Sequence, residues 1–212
     1  MTDSTGQDRT AHNQATYDRI APLYTRRQLE HQAAGGTFWA DLQAAFVRRL
    51  GHGGRVADLG CGPALDGRRL AEAGLRAVGV DRSSGMLAEA ATVLPGRVTQ
   101  GDLRRLPLAD ARLDGVWCAA SLLHVPEPHT SLVLNEFSRV LRPAGTLALV
   151  TALGESTSAW EPVPYAPAES RWFVYRSRAV LLAELDRAGF VSLDVAELEA
   201  SRHWIAILAK RL

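Results

Sequence analysis

The spacing of apolar residues changes along the chain. Over residues 12–29 and 37–50, apolar and aromatic positions recur at helical intervals. Pro22 interrupts the first segment, which predicts two short helices or one kinked helix. Residues 1–11 are polar and predict no regular element. From residue 55 onward, short apolar runs alternate with helical patterns, which is typical of a mostly parallel sheet with helices on both faces.

The second half of the chain continues the alternation and then changes character. The predicted strands are 55–59, 76–80, 97–100, 114–120 and 145–151, and the predicted helices are 64–73, 84–94 and 129–141. Residues 154–170 are rich in proline and lack a period, which predicts a long functional loop or lid. A helix over 177–188 precedes strands 191–198 and 203–209, which the short connection should pair as an antiparallel hairpin.

These elements predict a Rossmann-like α/β fold with a mostly parallel seven-stranded sheet and a C-terminal antiparallel hairpin. The 212 residues suit one domain. Within it, 1–50 would form a helical cap, 51–151 a cofactor-binding core, and 152–212 a substrate-side loop and hairpin.

Net charge, cysteine content and the lengths of apolar runs limit the classes of function that the chain can have. The formal net charge is +1, which gives no electrostatic footprint for nucleic acid or an anionic membrane. Cys61 and Cys118 lie in apolar segments without metal-ligand spacing, so we expect two reduced thiols and no metal. Residues 1–10 lack the apolar stretch of a signal peptide, and no apolar run reaches the length of a membrane span. We therefore expect a cytoplasmic protein; its oligomeric state is open.

The most specific signal is residues 56–64, Val-Ala-Asp-Leu-Gly-Cys-Gly-Pro-Ala, between a predicted strand and a helix. Gly60 and Gly62 let the backbone turn tightly and approach a ligand. A dinucleotide-binding loop begins in the same way but requires glycine where Leu65 stands. Asp58 would repel a pyrophosphate and suit a ligand that carries an ammonium group. This charge argument favours S-adenosylmethionine, which has a cationic amino acid tail and no phosphate.

Residues 58–63 resemble the first motif of the class I S-adenosylmethionine-dependent methyltransferases. Three further motifs follow in the family's order, at Val80-Asp81, at residues 101–103 and at residues 114–125. Residues 17–24 are similar to a segment that folds over the cofactor in quinone-biosynthesis-like methyltransferases. The resemblance implies methyl transfer from S-adenosylmethionine to a small molecule. Ala64 departs from the glycine found in many members, which could weaken binding.

The resemblance also implies roles for individual residues. Asp81 would accept the ribose hydroxyls, Asp102 would accept the adenine amino group, and the Leu103 backbone N–H would reach a ring nitrogen. His124 would support its loop or act as a base. The candidate catalytic residues are His124 and Tyr17. The candidate cofactor-binding residues are Asp58, Gly60, Cys61, Gly62, Asp81, Arg82, Met86, Asp102, Leu103, Ala119, Tyr17 and Tyr24.

The acceptor side is less defined. Residues 171–176, with His203 and Trp204, could form a wall of the pocket, and arginine beside aromatic residues suits an acidic or aromatic small molecule. Three alternatives remain. A NAD-dependent oxidoreductase shares the sheet but not the loop chemistry. A protein that binds S-adenosylmethionine without methyl transfer would keep the same motifs. A macromolecule methyltransferase is disfavoured by the lack of a basic patch.

Overall fold

The computed structural model describes residues 4–33, 38–155, 157–200 and 202–212. Its helices are α1 (Ser4–Ala33), α2 (Phe38–Leu50), α3 (Leu65–Glu72), α4 (Ser84–Val93), α5 (Thr130–Val140) and α6 (Arg178–Arg187). Its strands are β1 (Arg55–Leu59), β2 (Arg76–Asp81), β3 (Val98–Gln100), β4 (Leu113–Ala119), β5 (Leu141–Ala152), β6 (Thr157–Val163), β7 (Ala166–Tyr175), β8 (Phe190–Glu199) and β9 (His203–Arg211).

Seven strands form one sheet in the order β3-β2-β1-β4-β5-β9-β8. The strands from β3 to β5 run parallel, while β9 pairs antiparallel with both β5 and β8. This arrangement confirms the predicted fold class. The strand order reverses at β1, so the carboxyl ends of β1 and β4 open a crevice, which is where open α/β sheets bind ligands.

The sheet core follows from the apolar runs that predicted it. Strands β1 and β4 are buried along nearly their whole length and β5 from Gly145 onward, as expected for parallel strands that are covered on both faces. Phe137 of α5 packs on one face of the sheet, and Phe46 of α2 contacts Trp117 of β4 on the other. The site therefore rests on a rigid scaffold.

Helix α1 settles one expectation and corrects another. It is a single helix through Pro22, which excludes two short helices, and it begins at Ser4 within the stretch expected to be irregular. Proline inside a helix removes one N–H and crowds the carbonyl four residues earlier, here that of Asp18. That carbonyl packs against Gly85 of α4, where any Cβ atom would lie 2.5 Å from the Asp18 oxygen. Tertiary packing on α4 and β7 thus holds a helix that its own sequence does not favour.

The expectation of a long irregular loop over 154–170 is wrong. Strands β6 and β7 form a separate two-stranded antiparallel sheet, in which Trp160 lies opposite Trp172. An isolated hairpin is marginal in water. Here α1 completes the outer edge of β7, because the Asn13 side chain accepts from the Trp172 N–H at 2.6 Å and donates to its carbonyl at 2.9 Å. Thr16 donates to the Ser170 carbonyl at 3.0 Å.

Candidate active site

A cavity of about 670 Å³ lies at the carboxyl ends of the central strands, under α1 and the β6–β7 hairpin. Every residue predicted as catalytic or cofactor-binding contributes to its wall: Tyr17, Tyr24, Asp58, Gly60, Cys61, Gly62, Asp81, Arg82, Met86, Asp102, Leu103, Ala119 and His124. The sequence motifs therefore meet around one space, and the roles of the individual residues depend on the contacts that each one makes.

The glycine loop needs its glycines for two separate reasons. Gly60 and Gly62 have φ angles of +70° and +52°. A Cβ atom on Gly60 would also lie 2.1 Å from the Ser121 hydroxyl oxygen, which donates to the Gly60 carbonyl at 2.9 Å. Ala64 adopts φ +57°, a left-handed conformation that costs a non-glycine residue roughly 1–2 kcal/mol. The alanine that departs from the family pattern is thus strained.

Asp58 lies at the cavity floor with a structural partner. It is 3% exposed and accepts from the Gly67 N–H at 2.9 Å, so it caps the first turn of α3, where Ala64 offers no side-chain cap. Burial, with the neighbouring charge of Asp66, raises the pKa of Asp58 well above its ordinary value. Asp66 accepts from the Trp117 indole at 3.1 Å and also borders the cavity. A cationic ligand group here would favour ionisation of both carboxyls.

Asp81, at the end of β2, is held with its carboxylate partly free. Its two oxygens accept from the Gly62 and Ser83 N–H groups, both at 2.8 Å. A carboxylate has about four acceptor positions, so about two remain for a ligand. Burial raises the pKa of Asp81. The geometry suits a vicinal diol at this end of the cavity.

Asp102 is fully engaged by two arginines. Arg104 donates to it from its backbone N–H, its Nε and its terminal nitrogen at 2.9, 2.9 and 2.6 Å, and Arg82 donates at 2.7 Å. These donors hold the pKa of Asp102 below its ordinary value despite the opposing effect of burial. They fill about all four acceptor positions. An adenine amino group could reach Asp102 only after one of these bonds opens.

Helix α1 is fastened beside the cavity by Asp18. Its carboxylate accepts from the Ser83 hydroxyl at 2.6 Å and from the Gly85 N–H at 2.9 Å. Ser83 in turn caps α4 by accepting from the Met86 N–H. Asp18 thus joins α1 to the N-terminus of α4 and fixes the neighbouring Tyr17 over the cavity. Sequence reasoning missed this role, although Asp18 lies inside segment 17–24.

Tyr17 and His124 form a hydrogen-bonded pair across the cavity. The Tyr17 hydroxyl lies 2.7 Å from His124 Nε2, and His124 Nδ1 lies 2.9 Å from the Trp172 carbonyl. Since a carbonyl only accepts, the proton belongs on Nδ1, and Nε2 accepts from Tyr17. Burial, together with the nearby Arg171 and Arg202, lowers the pKa of His124 to about 3. The imidazole is therefore neutral at physiological pH.

Only part of segment 171–176, which was predicted to form a wall of the pocket, borders the cavity, because successive side chains of a strand point to opposite faces. Arg171 and Phe173 face the cavity, and Trp204 joins them, together with Arg202, which the sequence did not single out. Trp172 and Val174 are buried outside this wall, and His203 pairs with Glu197.

Arg176, which sequence reasoning took as part of the pocket wall, is fully buried and has a different role. It donates to the Leu122 carbonyl at 3.0 Å, to the Val125 carbonyl at 2.7 Å and to the Thr130 hydroxyl at 3.0 Å. These bonds clamp the turn that carries His124. No local pattern signals this function.

Within the described residues, no group of three or more histidine, cysteine or acidic side chains is placed to hold a metal ion. Cys61 and Cys118 are buried free thiols, and burial raises the pKa of both. Across the same residues, no helix combines the length and apolar character that a membrane crossing requires.

Comparisons with known proteins agree with this architecture. Residues 56–145 match a family model described as a methyltransferase domain. The chain is 31% identical over 163 residues to malonyl-[acyl-carrier protein] O-methyltransferase of Enterobacter lignolyticus, covering 74% of this chain and 62% of that protein. It is 39% identical over 133 residues to demethylmenaquinone methyltransferase of Mycobacterium marinum, covering 63% and 56%. The chain thus spans about three fifths of the length of these relatives.

The fold also matches solved structures. A crystal structure of an S-adenosylmethionine-dependent methyltransferase from Methanosarcina mazei aligns with a TM-score of 0.70 at 22% identity, covering 78% of this chain and 95% of that one. At this level of identity the likeness establishes the fold.

Proposed function

We propose that this chain, which belongs to the S-adenosylmethionine-dependent methyltransferase family, binds S-adenosylmethionine in the cavity and transfers its methyl group to a small-molecule acceptor. The observation that carries the proposal is one continuous cavity with two chemically different ends. Carboxylates and the glycine loop border one end, while Tyr17, His124, Arg171 and Phe173 border the other. The cavity has the size and concavity of a small-molecule site.

The cofactor end fits the proposed ligand residue by residue. Asp81 has acceptor capacity left for the ribose hydroxyls, and Gly60 and Gly62 expose backbone without side chains in the way. Asp58 and Asp66 offer negative charge for an ammonium group, and Arg69, which also borders the cavity, suits a carboxylate. A pyrophosphate would meet those two carboxyl groups, so the nicotinamide dinucleotide alternative fits less well.

The adenine contact requires a rearrangement. Asp102 has no acceptor position left while Arg82 and Arg104 both bind it. Arg82 also donates to Gln14 of α1 at 2.8 Å, so its movement would loosen the fit of α1 on the core. We therefore propose that Arg82 releases Asp102 when the nucleoside enters, which couples cofactor binding to the position of α1.

S-Adenosylmethionine supplies an electrophilic methyl group whose sulfide leaving group needs no proton. The residues of this chain then have three tasks: they align the acceptor, exclude water and hold any proton that the acceptor loses. His124 is a weak base at its pKa of about 3, and its Nε2 already accepts from Tyr17. We assign His124 the orientation of Tyr17 rather than general base catalysis. Tyr17 closes the acceptor side and presents its oxygen to the cavity.

Calorimetric titration tests the cofactor assignment. The protein should bind S-adenosylhomocysteine, and Asp81→Asn should weaken binding about tenfold to a hundredfold, because hydrogen bonds to a charged group contribute roughly 1.5–3 kcal/mol. Asp110→Asn, at a carboxylate that is 76% exposed, is the matched control and should bind normally. Tight NAD binding without any response to S-adenosylhomocysteine would reverse the assignment.

Methyl transfer needs its own assay. The protein is incubated with methyl-labelled S-adenosylmethionine and a panel of phenols, carboxylic acids, amines and thiols, and labelled products are separated. At least one acceptor should be labelled. Binding of the cofactor without labelling of any acceptor would favour a protein that retains the cofactor for another purpose.

A further inference from the structure

The acceptor end of the cavity contains a cation without a matching anion. Arg171, on β7, borders the cavity and is partly buried, and its Nε lacks any hydrogen-bond partner within the described residues. Its hydrogen bond to the Tyr17 hydroxyl is long, at 3.4 Å. In the described part of the chain it makes no ion pair. Leaving a buried charged group unpaired is costly, which makes this arginine a place where a ligand anion would be stabilised.

Arg202, the second arginine at this end, is already neutralised. It forms an ion pair with Glu161 at 2.8 Å and also donates to the Tyr175 hydroxyl at 3.0 Å. The two arginines therefore differ: Arg202 is paired with Glu161, whereas Arg171 borders the cavity and has no carboxylate partner among the residues that the structure describes.

Aromatic rings lie close to the Arg171 guanidinium. Arg171 lies 5.2 Å from the centre of the Phe173 ring and 5.8 Å from that of Tyr17, and Trp204 borders the same space. Among the described residues, the carboxyl groups that border the cavity are those of Asp58, Asp66, Asp81 and Asp102. They lie near the ends of β1, β2 and β3 and in the first turn of α3, in the cofactor half. The acceptor end thus combines positive charge with flat apolar walls.

We propose that the acceptor is a planar, conjugated small molecule that carries an oxyanion, and that Arg171 binds this oxyanion. This inference rests on the proposed function, because it identifies the substrate class of the same site. A carboxylate and an ionised phenol share the required chemistry: negative oxygen on a flat frame. The planar guanidinium of arginine pairs well with either group, and the conjugated frame of the acceptor packs between Phe173 and Tyr17.

Matched probes test the charge requirement directly. The protein saturated with S-adenosylhomocysteine is titrated with 4-hydroxybenzoate and with 4-hydroxybenzamide, its neutral counterpart of similar size. The carboxylate should bind roughly tenfold to a hundredfold more tightly, as expected for a charge-assisted pair. A second arm compares the ionised and protonated forms of 4-nitrophenol. The affinity of the ionised form, set against that of 4-hydroxybenzoate, shows whether a phenolate or a carboxylate is the preferred source of the anion.

Two variants assign the preference to Arg171. Arg171→Gln should abolish the discrimination between 4-hydroxybenzoate and 4-hydroxybenzamide, while Arg171→Lys should keep part of it. Arg178→Gln is the control, and the preference should survive there because Arg178 pairs with Glu197 and neither residue borders the cavity. Thermal melting verifies that each variant folds.

The outcomes separate this inference from the proposed function. S-Adenosylhomocysteine should bind Arg171→Gln as well as it binds the unmodified protein. A large loss would show that Arg171 holds the cofactor's own carboxylate, which overturns the inference while supporting cofactor binding. Equal binding of charged and neutral probes, or failure of every anionic probe to bind, also overturns it. Absence of S-adenosylhomocysteine binding defeats the proposed function, and the probes then test the charge preference on the free protein.

Discussion

The attachment of α1 gives a prediction that the structure quantifies. Asp18→Ala removes the acceptor for the Ser83 hydroxyl and the Gly85 N–H, at 2.6 and 2.9 Å. Hydrogen bonds to a charged group contribute roughly 1.5–3 kcal/mol each, and partial exposure of this site places each near the lower limit. The two bonds together should therefore account for about 3 kcal/mol of unfolding free energy. For a chain of this length the melting temperature should fall by about 6–12 °C.

The pH dependence of the loss identifies its cause. The hydrogen bonds from Ser83 and Gly85 lower the pKa of Asp18 below its ordinary value of 3.8, against the opposing effect of burial. A group whose pKa is lower in the folded state stabilises the protein fully above the unfolded value and loses this effect as the pH falls through the folded value. The difference between the variant and the parent should thus be constant from about pH 8 to 5 and narrow below 3.8.

Urea denaturation monitored by circular dichroism at several pH values provides the assay. Asp186→Ala is the control, because that carboxylate is exposed in the last turn of α6 and its removal should change stability by less than about 0.5 kcal/mol. An Asp18→Ala loss no larger than the control's, or a loss that does not shrink in acid, would refute the role of Asp18 as the fastening of α1.

Three further predictions use the same physics. Gly60→Ala should lower the unfolding free energy by more than about 2 kcal/mol and impair S-adenosylhomocysteine titration, because its Cβ would overlap the Ser121 hydroxyl at a φ of +70°; normal binding would contradict the close approach. Ala144→Gly should raise the urea midpoint by an amount equivalent to about 1 kcal/mol, because this exposed alanine has φ +62°; no gain would mean that the turn relaxes. The ring signals of His124 in an NMR pH titration should stay constant from pH 8 to 5 and shift near pH 3. Tyr17→Phe should raise the pKa of His124 only slightly, because burial is the dominant cause of its low value. An inflection near pH 6.5 would contradict the conclusion that His124 is too weak a base for general base catalysis. Since the folded pKa lies below the unfolded one, this histidine makes folding less favourable as the pH falls below 6.5.

Local chemistry determined much of the site. The sequence predicted the glycine loop, the carboxylate at the end of β2 and the motif after β3. Each consists of glycine or aspartate at the end of a strand, and such a turn is set by residues that are neighbours along the chain. The parallel sheet was readable as well, since continuous apolar runs alternate with amphipathic helices. Once these elements formed, the common edge of the sheet brought the predicted residues to one cavity.

Tertiary contacts decided the remainder. The sequence by itself determined the sheet, its order of motifs and the turn at Gly60, because these depend on backbone conformation and on periodic burial. It did not determine that α1 is one continuous helix through Pro22, that α1 supports the hairpin of residues 157–175 or that Arg176 is buried, since each depends on partners more than 40 residues away. The saturation of Asp102 by two arginines could not be predicted either, although Arg104 is two residues away and Arg82 twenty. A carboxylate's remaining acceptor capacity depends on the side-chain conformations that the fold imposes on its donors.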